Sequence, residues 1–149
     1  MIKVRKATPE DKDVIATYNQ AMALETEDKV LPDDIISPGV ERIFAEPDFG
    51  FYLIAETDKK IVGTLMITTE WSDWRNGLFW WIQSVYIDPD YRRQGAFRSL
   101  YEFVRHEARN TEGVCGLRLY VEKENLRAQA TYHRMGMLET HYRLFEEEF

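Results

Sequence analysis

A chain of 149 residues with 44% hydrophobic and 30% charged residues can bury one core, and this composition excludes a disordered chain. The net charge of −7 argues against nucleic acid as the main partner, and the apolar runs are too short to cross a bilayer. The single cysteine, Cys115, excludes an internal disulfide framework. We therefore expect one cytoplasmic domain over residues 1–149, with neither nucleic acid nor a membrane as its partner.

The first third of the chain predicts one strand and two helices. Residues 2–7 are typical of a short strand. The sequence Thr8-Pro9-Glu10-Asp11 predicts a helix start, because it combines a Thr cap, an early proline and an acidic residue three positions after the cap. The stretch 23–38 is acidic, contains two prolines and predicts a loop. A short second helix is expected over 39–46.

Three strands are expected close together in the middle of the chain. Residues 51–57 and 60–69 form a hairpin around the short turn Asp58-Lys59. A longer connection over 70–77 leads to a third strand at 78–87.

The second half of the chain predicts alternating helices and strands. The apolar residues from Phe97 onward lie on one face of a helix, and the region from Cys115 to Val121 alternates as a strand. Asn125 is a good N-cap for a helix that stops at Gly136, and a last strand is expected within 138–146. The order of elements, β-α-α-β-β-β-α-β-α-β, predicts a single α/β unit.

The segment between the third central strand and the next helix, residues 84–100, gives the strongest functional signal. Its sequence places a glycine and three arginines, Arg92, Arg93 and Arg98, directly before the helix. The first turn of a helix leaves N–H groups without partners, and such groups bind phosphate readily. A turn beside a solvated face is the alternative for this loop alone. We expect a pyrophosphate site around Gly95.

Two motifs accompany this order of elements. They are Val85-x-Ile87-x-Pro89-x-Tyr91-Arg92-x-x-Gly95 and Asn125-x-x-Ala128-x-x-x-Tyr132-x-x-x-Gly136. Together they resemble the GNAT superfamily of N-acetyltransferases over nearly the whole chain. The resemblance implies an α/β (α+β) fold, with a mixed, mostly antiparallel sheet of about six to seven strands flanked by about four helices.

The resemblance implies acetyl-CoA as co-substrate. Arg92 and Gly95 match the family's cofactor loop, Gln/Arg-x-x-Gly-x-Gly/Ala, whereas Phe97 stands where a small residue is expected. We expect the Phe97 side chain to turn toward the sheet. The pantetheine arm would add to the strand edge before the loop, as extended peptides do. The expected cofactor-binding residues are Val85, Tyr86, Ile87, Arg92, Arg93, Gln94, Gly95, Ala96, Phe97, Arg98 and Asn125.

The resemblance also implies that Tyr132 gives a proton to the departing sulfur. As the alternative, this tyrosine packs in the buried stripe of its helix, which its position also fits. The residues near the family's usual glutamate are Gln83 and Ser84, and neither can act as a base. Among the remaining acids we rank Glu25 first and Glu70 second as general base. Solvated loop acids and a proton-carrying water chain are the alternatives.

Aromatic residues are concentrated between Trp71 and Tyr86. Because neighbouring strand residues face opposite sides, Trp80 and Trp81 cannot both lie in the core. Aromatic rings beside carboxylates attract cations, so we expect a small primary amine as acceptor. As the alternative, Trp71 and Trp74 cover the hairpin or pack against a second subunit in a homodimer.

Three readings of the function follow. The first is acetyl transfer to the primary amine of a small molecule. The second keeps the fold but acts on a protein N-terminus or lysine, and the third is a non-catalytic acyl-CoA sensor. The histidines show no metal-ligand spacing, and we expect no metal site. Cys115 is expected to be an inert core thiol.

Overall fold

One five-stranded sheet runs through the described residues, 1–58 and 60–149, of this computed structural model. Its strands are β1 (Lys3–Lys6), β2 (Phe51–Glu56), β3 (Ile61–Ser72), β4 (Gly77–Ile87) and β5 (Val114–Arg118). They lie in chain order, with antiparallel pairs up to β4 and a parallel pair between β4 and β5. The predicted mixed, mostly antiparallel sheet is confirmed, with five strands instead of six or seven.

Four α-helices occur in the same described residues, as expected. They are α1 (Lys12–Glu27), α2 (Asp33–Ala45), α3 (Ala96–Asn110) and α4 (Leu126–Arg134). Helix α3 supplies the crossover that a parallel β4–β5 pair requires. Lys59, half of the expected Asp58-Lys59 turn, lies outside the described residues.

The chain divides into two units, Met1–Leu119 and Tyr120–Phe149. The first contains the sheet and helices α1 to α3, and the second contains α4. The single domain expected over residues 1–149 stays a prediction.

The core of the first unit lies on both faces of the sheet. On one face, Ile15 of α1 and Val40 of α2 pack with Ile54 of β2 in one buried cluster. The neighbouring strand residue Leu53 points to the opposite face and is fully buried, as is Leu100 of α3. Sheet alternation therefore separates an α1–α2 face from a second buried face.

The predicted loop over 23–38 is too long, because only residues 28–32 lie outside the two helices. Helix α1 continues through Glu27, and α2 already begins at Asp33, well before the expected 39–46. Pro32 precedes α2, and the acidic residues of its first turn favour a helix start because they face the positive end of the helix dipole. Glu25 is therefore a helical residue and not a loop residue.

The hairpin between β3 and β4 is longer than predicted. The expected connection over 70–77 shrinks to Asp73–Asn76, because β3 continues through Ser72 and β4 starts at Gly77. Asn76 takes the left-handed conformation (φ 47°) that closes this tight turn. Glu70 and Trp71 thus belong to a strand.

Two further expectations are wrong. No strand forms over 138–146 in the described part of the chain, because these residues pair with no other strand. Cys115 is exposed rather than an inert core thiol. Strand β5 lies at the sheet edge, and residue 115 lies beside Gly77, which has no side chain to cover the thiol.

Asp11 joins β1 to the start of α1. Its carboxylate accepts hydrogen bonds from Arg5 Nη1 (2.8 Å), Arg5 Nη2 (3.0 Å) and Thr8 N (2.8 Å), which confirms the predicted Thr8–Asp11 cap pair. The hydrogen bond from Arg5 is the main cause that lowers the pKa of Asp11 below its ordinary value. A carboxylate with a lowered pKa stabilises the fold above the unfolded pKa of about 3.9.

We expect Asp11→Asn to lower the free energy of unfolding by about 2 kcal/mol at neutral pH, since charge-assisted hydrogen bonds are lost at a buried site. This difference in the free energy of unfolding must shrink as the pH falls through the folded pKa of Asp11. The wild-type carboxyl group is then protonated and neutral, as the asparagine side chain is at every pH. Urea unfolding at several pH values measures it. The exposed Asp13→Asn is the control, with a loss under about 1 kcal/mol.

Candidate active site

Strand β4 is paired on both sides only in its first half. Strand β5 pairs with it from Leu78 to Trp81, whereas β3 follows it to Ile87. In the described sheet, the β5 side of residues 82–87 therefore has no strand partner. We call residues 82–87 the open edge of β4.

The end of the open edge presents its backbone away from β3. Asp88 N donates to Val62 O (2.8 Å), so residue 88 hydrogen-bonds toward β3. Alternate residues of an antiparallel strand point in opposite directions, so the Ile87 N–H and C=O lie on the other side. Arg92 Nε donates to Ile87 O (3.0 Å) from that side. The Ile87 N–H on the same side could pair with an extended ligand.

A β-bulge interrupts the open edge. Thr64 pairs with Tyr86 and Met66 with Gln83, so Ser84 and Val85 together face the single residue between them on β3. Ser84 has a left-handed backbone (φ 51°), which is uncommon for a residue with a side chain. Bulges redirect backbone and side chains and are frequent beside active sites.

The loop after the open edge is held by local hydrogen bonds. Asp88 accepts from Asp90 N (3.0 Å) and from Lys60 Nζ (2.9 Å), and the hydrogen bond from Lys60 is the main cause that lowers its pKa. Gln94 Nε2 donates to Asp90 O (2.9 Å). Left-handed backbones at Arg93 (φ 63°) and Gly95 (φ 86°) then turn the chain into α3.

Helix α3 begins where the sequence predicts an anion site. Gly95 O accepts the first helical hydrogen bond, from Ser99 N (2.9 Å), so Ala96 is the first helical residue. The N–H groups of the first turn have no acceptor within their own helix. A Cβ added to Gly95 would meet no atom within 4 Å, so this position faces open space.

The three arginines of the loop differ in their partners. Arg92 Nη2 pairs with Glu25 Oε2 (2.7 Å), and Arg98 Nε pairs with Glu102 Oε1 one turn along α3 (2.9 Å). Within the described residues Arg93 is exposed and makes no ion pair. Arg93 therefore offers the least neutralised charge of the loop.

The structure brings Glu25 to the loop over 92–98. Besides Arg92, its carboxylate accepts a hydrogen bond from the Tyr86 hydroxyl at Oε1 (3.3 Å). Tyr86 is buried and packs against Tyr18 of α1, with ring centroids 5.0 Å apart. Burial is the main cause that raises the pKa of Tyr86, so its hydroxyl stays a donor at neutral pH.

Glu70 lies at the other end of the open edge. Its Oε1 accepts from Arg118 Nη1 (2.7 Å) and from Trp81 Nε1 (3.1 Å). The Arg118 guanidinium also lies 3.7 Å from the centre of the Phe79 ring. Thr64 lies opposite Tyr86, the partner of Glu25, and therefore marks the Glu25 end of the open edge. Residues 64 and 70 share one face of the sheet because they are an even number of positions apart on β3. At 3.3 Å per residue they are about 20 Å apart.

The two glutamates thus flank the open edge on the α1 face, and each is held by an arginine. Sequence reasoning missed Arg118, although a charged residue in the apolar alternation from Cys115 to Leu119 was a signal for it. The bulge at Ser84 had no sequence signal, because serine is not typical of a left-handed backbone.

The two neighbouring tryptophans of β4 lie on opposite faces of the sheet. Trp80 is buried and packs against Phe51 (centroids 5.3 Å apart), whereas Trp81 is partly exposed on the other face, which confirms that the two separate. Ala96 is buried, and Phe97 is half-buried beside Tyr101 (6.2 Å).

The second unit contains the other two candidate residues. Asn125 Oδ1 accepts from Ala128 N (3.1 Å), which confirms Asn125 as the N-cap of α4. Gly136 (φ 95°) follows the end of α4, as predicted. Tyr132 is half-buried on α4, and burial raises the pKa of its phenol. The phenol is therefore protonated at neutral pH and can donate a proton.

No helix in the described residues is both long and apolar enough to span a bilayer.

The model of the Acetyltransferase (GNAT) family matches residues 16–137. No curated protein matches the chain.

Solved structures share the fold over full length. A possible acetyltransferase from Clostridium difficile 630 is 43% identical, with a TM-score of 0.93 over 100% of this chain and 98% of that one. A predicted acetyltransferase with acetyl-CoA from Clostridium acetobutylicum is 19% identical (TM-score 0.78; 99% and 96% covered). Glucosamine-6-phosphate N-acetyltransferase from Arabidopsis thaliana is 21% identical (0.74; 99% and 98%). The last two show a common fold only.

Proposed function

Since the chain belongs to the GNAT family of acetyltransferases, we propose that it transfers an acetyl group from acetyl-CoA to the primary amine of a small molecule. The observation that supports this most is the open edge of β4, residues 82–87, which runs directly into the loop at the start of α3. One surface thereby offers backbone groups for an amide-containing arm and N–H donors for a diphosphate.

The residues present fit acetyl-CoA. The backbone of Val85 to Ile87 would pair with the pantetheine arm, and the loop over 92–98 would bind the diphosphate through its N–H groups and Arg93. We keep Asn125 as a further proposed contact of the arm. Acetyl-CoA supplies the activated acyl group as a thioester, and the chain's own residues supply orientation and proton transfer.

The proposed acid is Tyr132, which holds a proton at its phenol oxygen for the departing sulfur. Its raised pKa keeps that proton in place at neutral pH.

The contacts of the two glutamates reverse the order in which we propose them as base. Both oxygens of Glu25 already accept hydrogen bonds, from Arg92 and Tyr86. In the described residues the contacts of Glu70 both fall on Oε1, which leaves Oε2 for the ammonium of an acceptor. The Trp81 ring beside this carboxylate suits a cationic acceptor.

We expect Glu70→Gln to lower kcat/KM by about 100-fold and to remove the acidic limb of its pH profile. The glutamine keeps an oxygen for Arg118 and Trp81 but cannot accept a proton. Asp73→Asn, at the hairpin tip, is the control. An unaltered pH profile for Glu70→Gln would assign the proton to water instead.

The experiment that tests the function is thiol release from acetyl-CoA over a panel of amines, after calorimetry with acetyl-CoA alone. We expect binding and thiol release with small primary amines. Release only with peptides would favour a protein acetyltransferase, and binding with no release from any acceptor would favour a sensor. The homodimer, with Trp71 (60% exposed) and Trp74 (87% exposed) at its interface, and the cytoplasmic location stay predictions.

A further inference from the structure

Two nitrogens and the plane of the Arg92 guanidinium contact the protein itself. Its Nε donates to Ile87 O (3.0 Å), its Nη2 pairs with Glu25 Oε2 (2.7 Å), and its Cζ lies 5.5 Å from the centre of the Tyr86 ring. Three contacts in different directions fix the orientation of one planar group. The side chain therefore turns back from the loop toward the end of β4.

The partners of Arg92 come from separate elements. Glu25 lies in the last turn of α1, and Ile87 ends β4 on its open edge. Glu25 adds a second link, because its other oxygen accepts from the Tyr86 hydroxyl (3.3 Å). The pair Arg92–Glu25 thus joins α1, the open edge and the first residue of the loop.

The charges of Arg92 and Arg93 differ in how far the protein neutralises them. Glu25 Oε2 lies 2.7 Å from Arg92 Nη2 and neutralises the charge of that arginine. Arg92 therefore contributes little electrostatic attraction for a diphosphate. Arg93 is adjacent, has a left-handed backbone (φ 63°) and makes no ion pair within the described residues. Arg93 is exposed and carries the charge that a diphosphate needs.

Building on the proposed function, we propose that Arg92 and Glu25 are positioning residues: they clamp α1 and the cofactor loop onto the open edge of β4, and the Arg92 side chain does not bind the diphosphate. The clamp holds the Ile87 carbonyl and the start of the loop in one geometry. It therefore acts on the part of the site that takes the pantetheine arm, and Arg93 acts on the part that takes phosphate.

Two ligands separate these roles. Acetyl-CoA contains both the arm and the diphosphate, whereas S-acetylpantetheine contains the arm alone. We expect Arg92→Gln to weaken both ligands by the same factor, about tenfold, since a positioned edge serves both. Arg93→Gln is expected to weaken acetyl-CoA alone. Calorimetry, with competition against acetyl-CoA for the weaker ligand, measures these affinities.

The Glu25→Gln variant tests the Arg92–Glu25 pair, because the clamp and direct phosphate binding by Arg92 predict changes of opposite sign in acetyl-CoA affinity. A clamp predicts weaker binding of both ligands, and the double variant with Arg92→Gln should be no worse than either single variant. Glu102→Gln is the matched control, because Glu102 pairs with the other loop arginine, Arg98, but links no second element. We expect it to leave S-acetylpantetheine affinity unchanged.

The opposite results would overturn the clamp. If Arg92 binds phosphate, Arg92→Gln weakens acetyl-CoA alone, and Glu25→Gln tightens acetyl-CoA because it releases the arginine. If Glu25 is the base, its Gln variant loses kcat while both affinities stay unchanged. Failure of acetyl-CoA binding itself, on which the proposed function depends, is distinct from all of these, because the wild type would then bind neither ligand. A sensor or a protein acetyltransferase would still bind both ligands and is separated by the thiol-release assay.

Discussion

Replacing Tyr132 by phenylalanine is expected to lower kcat by at least about tenfold, and toward 1000-fold if protonation of the sulfur limits the rate. The dissociation constant of acetyl-CoA should hardly change, because the substitution removes a proton donor and keeps the ring. Burial raises the pKa of the Tyr132 phenol, so the wild-type rate should not fall on the alkaline side until above about pH 10.

Steady-state kinetics and calorimetry on the same preparations separate the two effects. Tyr142→Phe is the matched control, since this tyrosine belongs to the same unit and is exposed. An unchanged kcat for Tyr132→Phe would remove Tyr132 from the mechanism. A loss of acetyl-CoA affinity equal to the loss of kcat/KM would make it a binding residue.

The second large effect is expected at Gly95, where a negative charge would face the diphosphate. Gly95→Asp should weaken acetyl-CoA by at least about tenfold through charge repulsion. Gly95→Asn is the control of equal size, and it should bind within a few-fold of wild type. Asp and Asn are the residues that adopt a left-handed backbone (φ 86°) most readily after glycine, and an added Cβ would meet no atom within 4 Å.

Salt gives this prediction a second readout. The difference between the Asp and Asn variants should shrink as ionic strength rises, because salt screens exposed charges. Equal affinities of the two variants at low salt would place the diphosphate away from Gly95. Thermal melting checks that both variants fold, with similar losses expected from the shared backbone strain.

The fold was largely predictable because its signals are local. The Thr8–Asp11 cap, the Asn125 cap and the Gly136 stop each depend on residues a few positions apart, and all three are confirmed. The bounds of the second helix do not follow from the sequence, because Pro38 argues against a helix that in fact contains it. A strand over 138–146 had suitable residues, but a strand also needs a partner, which a local pattern cannot supply.

The candidate site was predictable only in part. The loop motif located the start of α3 and the left-handed Gly95. The contacts of Glu25 with Arg92 and Tyr86 join residues more than sixty positions apart, and no local pattern encodes such a pairing. The sequence places Glu70 beside tryptophans, but it does not indicate the partner Arg118, which comes from a different strand, β5.

Titration of the wild-type protein with acetyl-CoA in a calorimeter tests the central claim most directly, namely that the open edge of β4 and the loop around Gly95 bind coenzyme A. We predict saturable heat with a dissociation constant below about 1 mM, weakened by added salt, together with a raised melting temperature. The absence of both heat and thermal stabilisation at millimolar acetyl-CoA would contradict the account.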